Sequence, residues 1–140
     1  MNAGLHGRAA RALRIHCPAS AETVAAIRTG RSEAIEADPA IAPLLAIIRG
    51  DNPLGDFGLY KGVVEIALGL ESFIPTAGAQ PTAGSAGAIS LLPTVVLTTY
   101  IADEAPQTQI SAALAALLAA HPWEAPVIEL CPVELLRRDG

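Results

Sequence analysis

Hydrophobic residues repeat along this chain with two different periods, and the places where the period changes mark its elements. From Ala12 to Cys17, Leu13, Ile15 and Cys17 alternate with Arg14 and His16, the period of a strand with one buried face, and Pro18 ends the run. Ser20 then stands where a helix is capped, with Glu22 in the first turn, Val24 and Ile27 on one face and Gly30 as the stop. Residues 31–50 are helix-permissive but interrupted by Pro39 and Pro43, which predicts one or two short helices, the better one over 43–49. Turn chemistry follows in "DNPLGDFG", residues 51–58.

Beyond that turn, Val64, Ile66, Leu68 and Leu70 alternate with Val63, Glu65, Ala67, Gly69 and Glu71, predicting a second half-buried strand. Residues 75–87, "PTAGAQPTAGSAG", form an uncharged loop with a doubled PTAG, either a mobile arm or a functional segment. "TVVLTTYI", residues 94–101, is dense in β-branched side chains and reads as a third strand. Asp103 is placed to cap the next helix, whose stripe is Ile110, Leu114, Leu117 and Leu118. That helix must stop at His121, because a following proline pushes this residue out of the helical region. "PVIELCP", residues 126–132, supplies a fourth strand.

The element order βαββαβ predicts an α+β, ferredoxin-like split βαβ fold, with a four-stranded antiparallel sheet and both helices on one face. Its single domain spans 12–134, between a basic tail at 1–11 and a C-terminal tail at 135–140. The second face of the sheet would carry Val63, Val96, Tyr100 and Val127, apolar enough to seek cover from copies of the same chain.

Composition sharpens this expectation. Of 140 residues, 51% are hydrophobic but only 4% aromatic and 16% charged, so the core must be aliphatic and little polar surface remains. A net charge of −5 with Lys61 as the single lysine excludes phosphate-backbone binding, so no nucleic-acid partner is expected. The apolar runs, such as residues 41–48, fall short of the roughly 20 residues a membrane-spanning helix needs. Arg8, Arg11 and Arg14 near the start lack a continuous apolar stretch, which makes a secretory signal a poor fit. Cys17 and Cys131 are expected as two buried, reduced thiols in a cytoplasmic protein.

The candidate chemistry centres on "HPWEAP", residues 121–126. His121 and Glu124 together offer an imidazole and a carboxylate, a pair able to hold a divalent metal ion or pass a proton. The architectural alternative has His-Pro ending the helix, Trp123 packing beneath with its indole N–H satisfied, and Glu124 accepting from backbone donors of the turn. His16 and Cys17 would approach Cys131 if the first and last strands are neighbours, but consecutive residues point to opposite faces and leave at most two ligands on a side. Residues 75–87 lack the Gly-Lys-Ser/Thr ending of a phosphate loop, and neither Ser85 nor Ser90 stands in a Gly-x-Ser-x-Gly elbow.

"HPWEAPVIEL", placed after the second helix of a split βαβ domain, resembles the His-Pro-aromatic-Glu-x-Pro signature of CutA-type proteins and of the PII-like insert of the Nif-three-like (YqfO-type) family. The second likeness extends further. Tyr60 matches an early tyrosine, Gly69, Phe73 and Pro75 match a Gly-x-Gly-x-Phe-x-Pro motif, and Gly78, Pro81 and Gly84 match the loop after it. Glu71 replaces that motif's second glycine, Val63 and Glu65 stand where a Cys-x-Phe pair is usual, Trp123 replaces a tyrosine, and residues 31–54 are additional. The metal-binding domain of the family has no counterpart. The resemblance implies a PII/CutA-like trimer of regulatory or binding role, taking a small molecule, a metal ion or a protein at clefts between subunits. Tyr60, Gly78, Pro81, Gly84, His121, Trp123 and Glu124 are its cleft candidates, and a small enzyme assembled around His121 and Glu124 is the alternative.

Overall fold

The computed structural model describes residues 5–81 and 83–138. Its strands are β1 (Leu5–Pro18), β2 (Glu65–Phe73), β3 (Ser90–Ala102) and β4 (Val127–Arg138). Its helices are α1 (Ala21–Arg28), α2 (Ile41–Ile48) and α3 (Gln107–Ala120), with a 3-10 segment at Ser32–Ala37. The sheet runs β2-β3-β1-β4 with every pair antiparallel, which together with the element order is the ferredoxin-like arrangement expected from the pattern.

Strand parity then sorts every side chain. Leu13 pairs with Thr99, Ile15 with Leu97 and Cys17 with Val95, and all six are buried beneath the helices. On the opposite, open face lie Arg14 beside Thr98 and His16 beside Val96, with Glu129 and Val127 as their partners on β4. Val96, Tyr100 and Val127 thus occupy the predicted second face. Val63 does not, because β2 begins only at Glu65; Val63 instead closes a turn by donating its N–H to the Gly55 carbonyl at 3.1 Å. Gly55 has to be glycine there, since it holds φ +63° and a Cβ would sit 2.6 Å from the Val63 carbonyl oxygen. The apolar stripe of β2 is also only half realised. Ile66 packs on the core, whereas Leu68 and Leu70 share its face but remain exposed, lying on an edge strand the helices do not reach.

Two ends differ from expectation. The basic segment before Ala12 is a continuation of β1: Leu5 through Ala9 pair with Arg138 through Glu134, a two-stranded ribbon running past the end of β3. Residues 135–138 are therefore strand, not tail, while residues 1–4 and 139–140 lie outside the described residues. Pro132 is tolerated in this ribbon because β4 is an edge strand, where a missing backbone donor breaks no interior ladder.

The additional segment 31–54 supplies a third helix to the core layer. Ile35, Ile41, Leu44, Leu45, Ile48 and Leu54 are all buried in the same aliphatic cluster as the strands. Pro43 fits in the first turn of α2, where its missing N–H would have had no helical partner. The segment is fastened by Asp38, which is only 2% exposed. One of its oxygens accepts from the Ser20 N–H (3.0 Å) and the Thr23 hydroxyl (2.7 Å), the other from the N–H groups of Ala40 (2.9 Å) and Ile41 (3.2 Å). Asp38 thereby reinforces the Ser20 cap of α1 and opens α2 in one stroke. Asp103 caps nothing: α3 starts after Pro106, and the Asp103 N–H donates to the Ala9 carbonyl instead.

Burial alone would raise the Asp38 carboxyl, but its four donors prevail and hold it below the ordinary aspartate value. A folded pKa below the unfolded one stabilises the protein above the unfolded value, and the contribution is lost as pH falls through the folded value. Asp38→Ala should therefore cost about 2–4 kcal/mol at neutral pH, having stranded four donors. The loss should shrink below about pH 4, as read by denaturant unfolding at pH 7 and pH 3; an equal loss at both would contradict this role.

Candidate functional site

The corner between α3 and β4 is built outward from a buried stripe. Ile110, Ala113 and Leu117 are the buried residues of α3, and His121, four residues beyond Leu117, continues the same line. Leu118, predicted in that stripe, is exposed instead. The His121 N–H makes the last helical bond, to the Leu117 carbonyl, and the residue then turns extended (φ −68°, ψ 132°) as the following proline requires.

Both ring nitrogens of His121 are spoken for. Nδ1 accepts from the Trp123 N–H at 3.1 Å, so the proton sits on Nε2, which donates to the His16 carbonyl at 2.6 Å. Burial depresses its pKa below the ordinary histidine value, against smaller upward contributions from the His16 carbonyl and Glu71. The imidazole is thus a neutral pin joining the α3 corner to the end of β1, and neither nitrogen has a lone pair left for a metal ion.

Trp123 packs its ring against His121, with centroids 5.2 Å apart. Its indole N–H was expected to be satisfied, yet no partner for it is found among the described residues. Glu124 differs in another way. Its carboxylate reaches across the molecule, not to its own turn, and accepts from the Gln80 N–H at 2.9 Å. The loop between β2 and β3 is accordingly tied down at its tip. Its neck is closed by the Gly87 N–H donating to the Pro75 carbonyl at 2.7 Å. Gly84, at φ +98°, is packed so closely on the Ser90 hydroxyl that a Cβ would collide with it.

Corner, loop and sheet enclose a cleft of about 210 Å³. Glu71, Phe73 and Leu92 line it from the open sheet face, Pro75 and Pro81 from the loop, and Trp123 and Glu124 from the corner. Three of the candidate residues, Pro81, Trp123 and Glu124, are brought together here, with His121 behind the indole. Gly84 shapes the loop neck. Gly78 sits in the turn from Thr76 to Ala79 with open space around it. Tyr60 is elsewhere, 71% exposed and ahead of β2, whereas the cleft lies at the other end of that strand. Glu71, Phe73 and Leu92 as cleft residues follow from strand pairing: Glu71 stands opposite Leu92 and Phe73 opposite Ser90 on one face.

Other clusters resolve into local pairs. His16 Nε2 meets Glu129 at 2.8 Å and Arg14 meets the same carboxylate at 3.6 Å on the open face. Cys17 is buried, its thiol pushed up to about 12 by burial and by the nearby Asp38 carboxylate. Cys131 is exposed, contrary to the expectation of two buried thiols, because it lies opposite Ala12 on the uncovered face. Among the described residues, no group of three or more His, Cys, Asp or Glu side chains is arranged to hold a metal ion. No described helix is long and apolar enough to cross a membrane.

No family model and no curated protein matches the chain. Among solved structures, a Bacillus cereus protein related to NIF3 shares its fold with a TM-score of 0.59 at 16% identity. The alignment covers 97% of this chain but only 29% of that one, so the chain spans under a third of the protein it matches. The periplasmic divalent cation tolerance protein CutA from Archaeoglobus fulgidus aligns more loosely, with a TM-score of 0.44 at 14% identity over 89% of this chain and 83% of that one.

Replacing His121 by alanine should cost about 2–3 kcal/mol, the lost ring packing plus an unpaired His16 carbonyl. A depressed histidine stabilises above its unfolded value and the contribution disappears as pH drops through the folded one. Wild-type unfolding free energy should therefore decline from about pH 6.5 downward, and His121→Ala should flatten that decline; a parallel pH profile in the variant would remove His121 from this role.

Proposed function

We propose that the chain is a self-associating, PII/CutA-type binding domain, a homotrimer joined through the open face of its sheet, that takes a small ligand or a protein partner at clefts beside the Trp123 corner. The observation carrying this reading is the open face itself. Four strands present a surface about 19 Å wide and about 30 Å long, comparable to what one partner contributes to a stable interface. Val96, Tyr100 and Val127 give it apolar content, and the charged groups beside them, Arg14, His16 and Glu129, are paired with one another. A regulatory or binding role fits better than a reaction, because the imidazole at the corner is consumed by backbone contacts and cannot serve as a base.

Light scattering in solution should give about three times the 14.4 kDa chain mass. Cys131, exposed in the single chain, should alkylate slowly in the assembly and quickly in Val127→Glu, which places a charge on the same face and should yield monomer. A wild-type protein that stays monomeric at high concentration with freely reactive Cys131 would overturn the reading.

A further inference from the structure

We propose that the Trp123 cleft receives a small organic cation with an apolar body, of the alkylammonium class. This deepens the ligand reading above and rests on its placing of the binding site at the Trp123 corner. Two aromatic side chains, Phe73 and Trp123, line the cleft, and an aromatic face attracts a desolvated cation. Two carboxylates, Glu71 and Glu124, line it as well, with no lysine, arginine or histidine among the lining residues.

Neither carboxylate is ion-paired among the described residues. Glu71 is also half-buried, so a carboxylate there without a cationic partner sits partly withdrawn from water. The Gln80 N–H fixes Glu124 in orientation, which leaves its second oxygen for a ligand. Leu92 and the two prolines form an apolar wall that would strip water from whatever enters.

This lining selects among ligand classes. Phosphates and nucleotides are repelled by two acids and find no basic partner. A hard divalent cation wants six or more oxygen ligands, and two carboxylates against hydrocarbon do not supply them. A cation that hides its charge under methyl or alkyl groups satisfies all walls at once: charge toward Glu71 and Glu124, hydrocarbon toward Leu92, ring faces toward the head group.

Trp123 is the only tryptophan, so its indole gives a single amide-type cross-peak in a nitrogen-proton correlation spectrum and reports on this cleft alone. Titration with choline should shift that peak saturably. The neutral isostere 3,3-dimethylbutan-1-ol should bind more weakly by roughly ten-fold or more, and Glu71→Gln or Glu124→Gln should each weaken choline by a similar factor, the value of one charge-assisted contact. Equal responses to choline and its isostere, wild-type affinity in both variants, or no saturable shift would each overturn the assignment. Mass measurement on the same samples separates the two proposals. A trimer that ignores choline overturns the cation and leaves the assembly, while a monomer that binds it does the reverse.

Discussion

A sheet with helices on one side only must dispose of its other side, and most of this protein's features follow from that constraint. Parity along β1 sends Leu13, Ile15 and Cys17 down into an aliphatic core and turns Arg14 and His16 up toward the open face. The upward residues are not a conventional wet surface. Val96 and Val127 lie beside Arg14, His16 and Glu129, which neutralise one another, a mixture that tolerates being covered. Cys131 is exposed for the same reason that Cys17 is not: the two sit on opposite sides of one layer.

The α3–β4 corner converts this layer into a site. His121 bonds to the carbonyl of His16, and His16 in turn holds Glu129 on the open face, so one short chain of contacts connects helix, central strand and edge strand. Glu124 extends the connection to the β2–β3 loop through Gln80. The two readings of the His-Pro-Trp-Glu segment are thereby divided between residues: His121 is architecture, and the Trp123–Glu124 step carries the cleft wall. Glu71 and Glu124 bring two carboxylates without a cationic partner to one apolar, aromatic-walled cleft.

Segment 31–54 bears on the fold more than on the site. Its six buried aliphatic side chains enlarge a core that has few aromatic residues to fill it, and Asp38 ties the start of α2 to the cap of α1. It forms part of the helical layer.

By itself the sequence determined what depends on neighbours within a few residues. Alternation at 13–17 and 94–101, the Ser20 cap, the proline that ends α3 and the order of elements are all local, and with the rule that βαββαβ folds one way they were enough to specify the sheet. The corner motif was legible for the same reason. Only the tertiary structure decided which strand residues extend beyond their predicted ends, because residues 5–9 lack strong alternation and become strand by pairing with β4. It alone brought Glu71, Phe73 and Leu92 to the Trp123 corner and left Tyr60 at the far end of β2, since register between strands is a long-range property that no local pattern encodes.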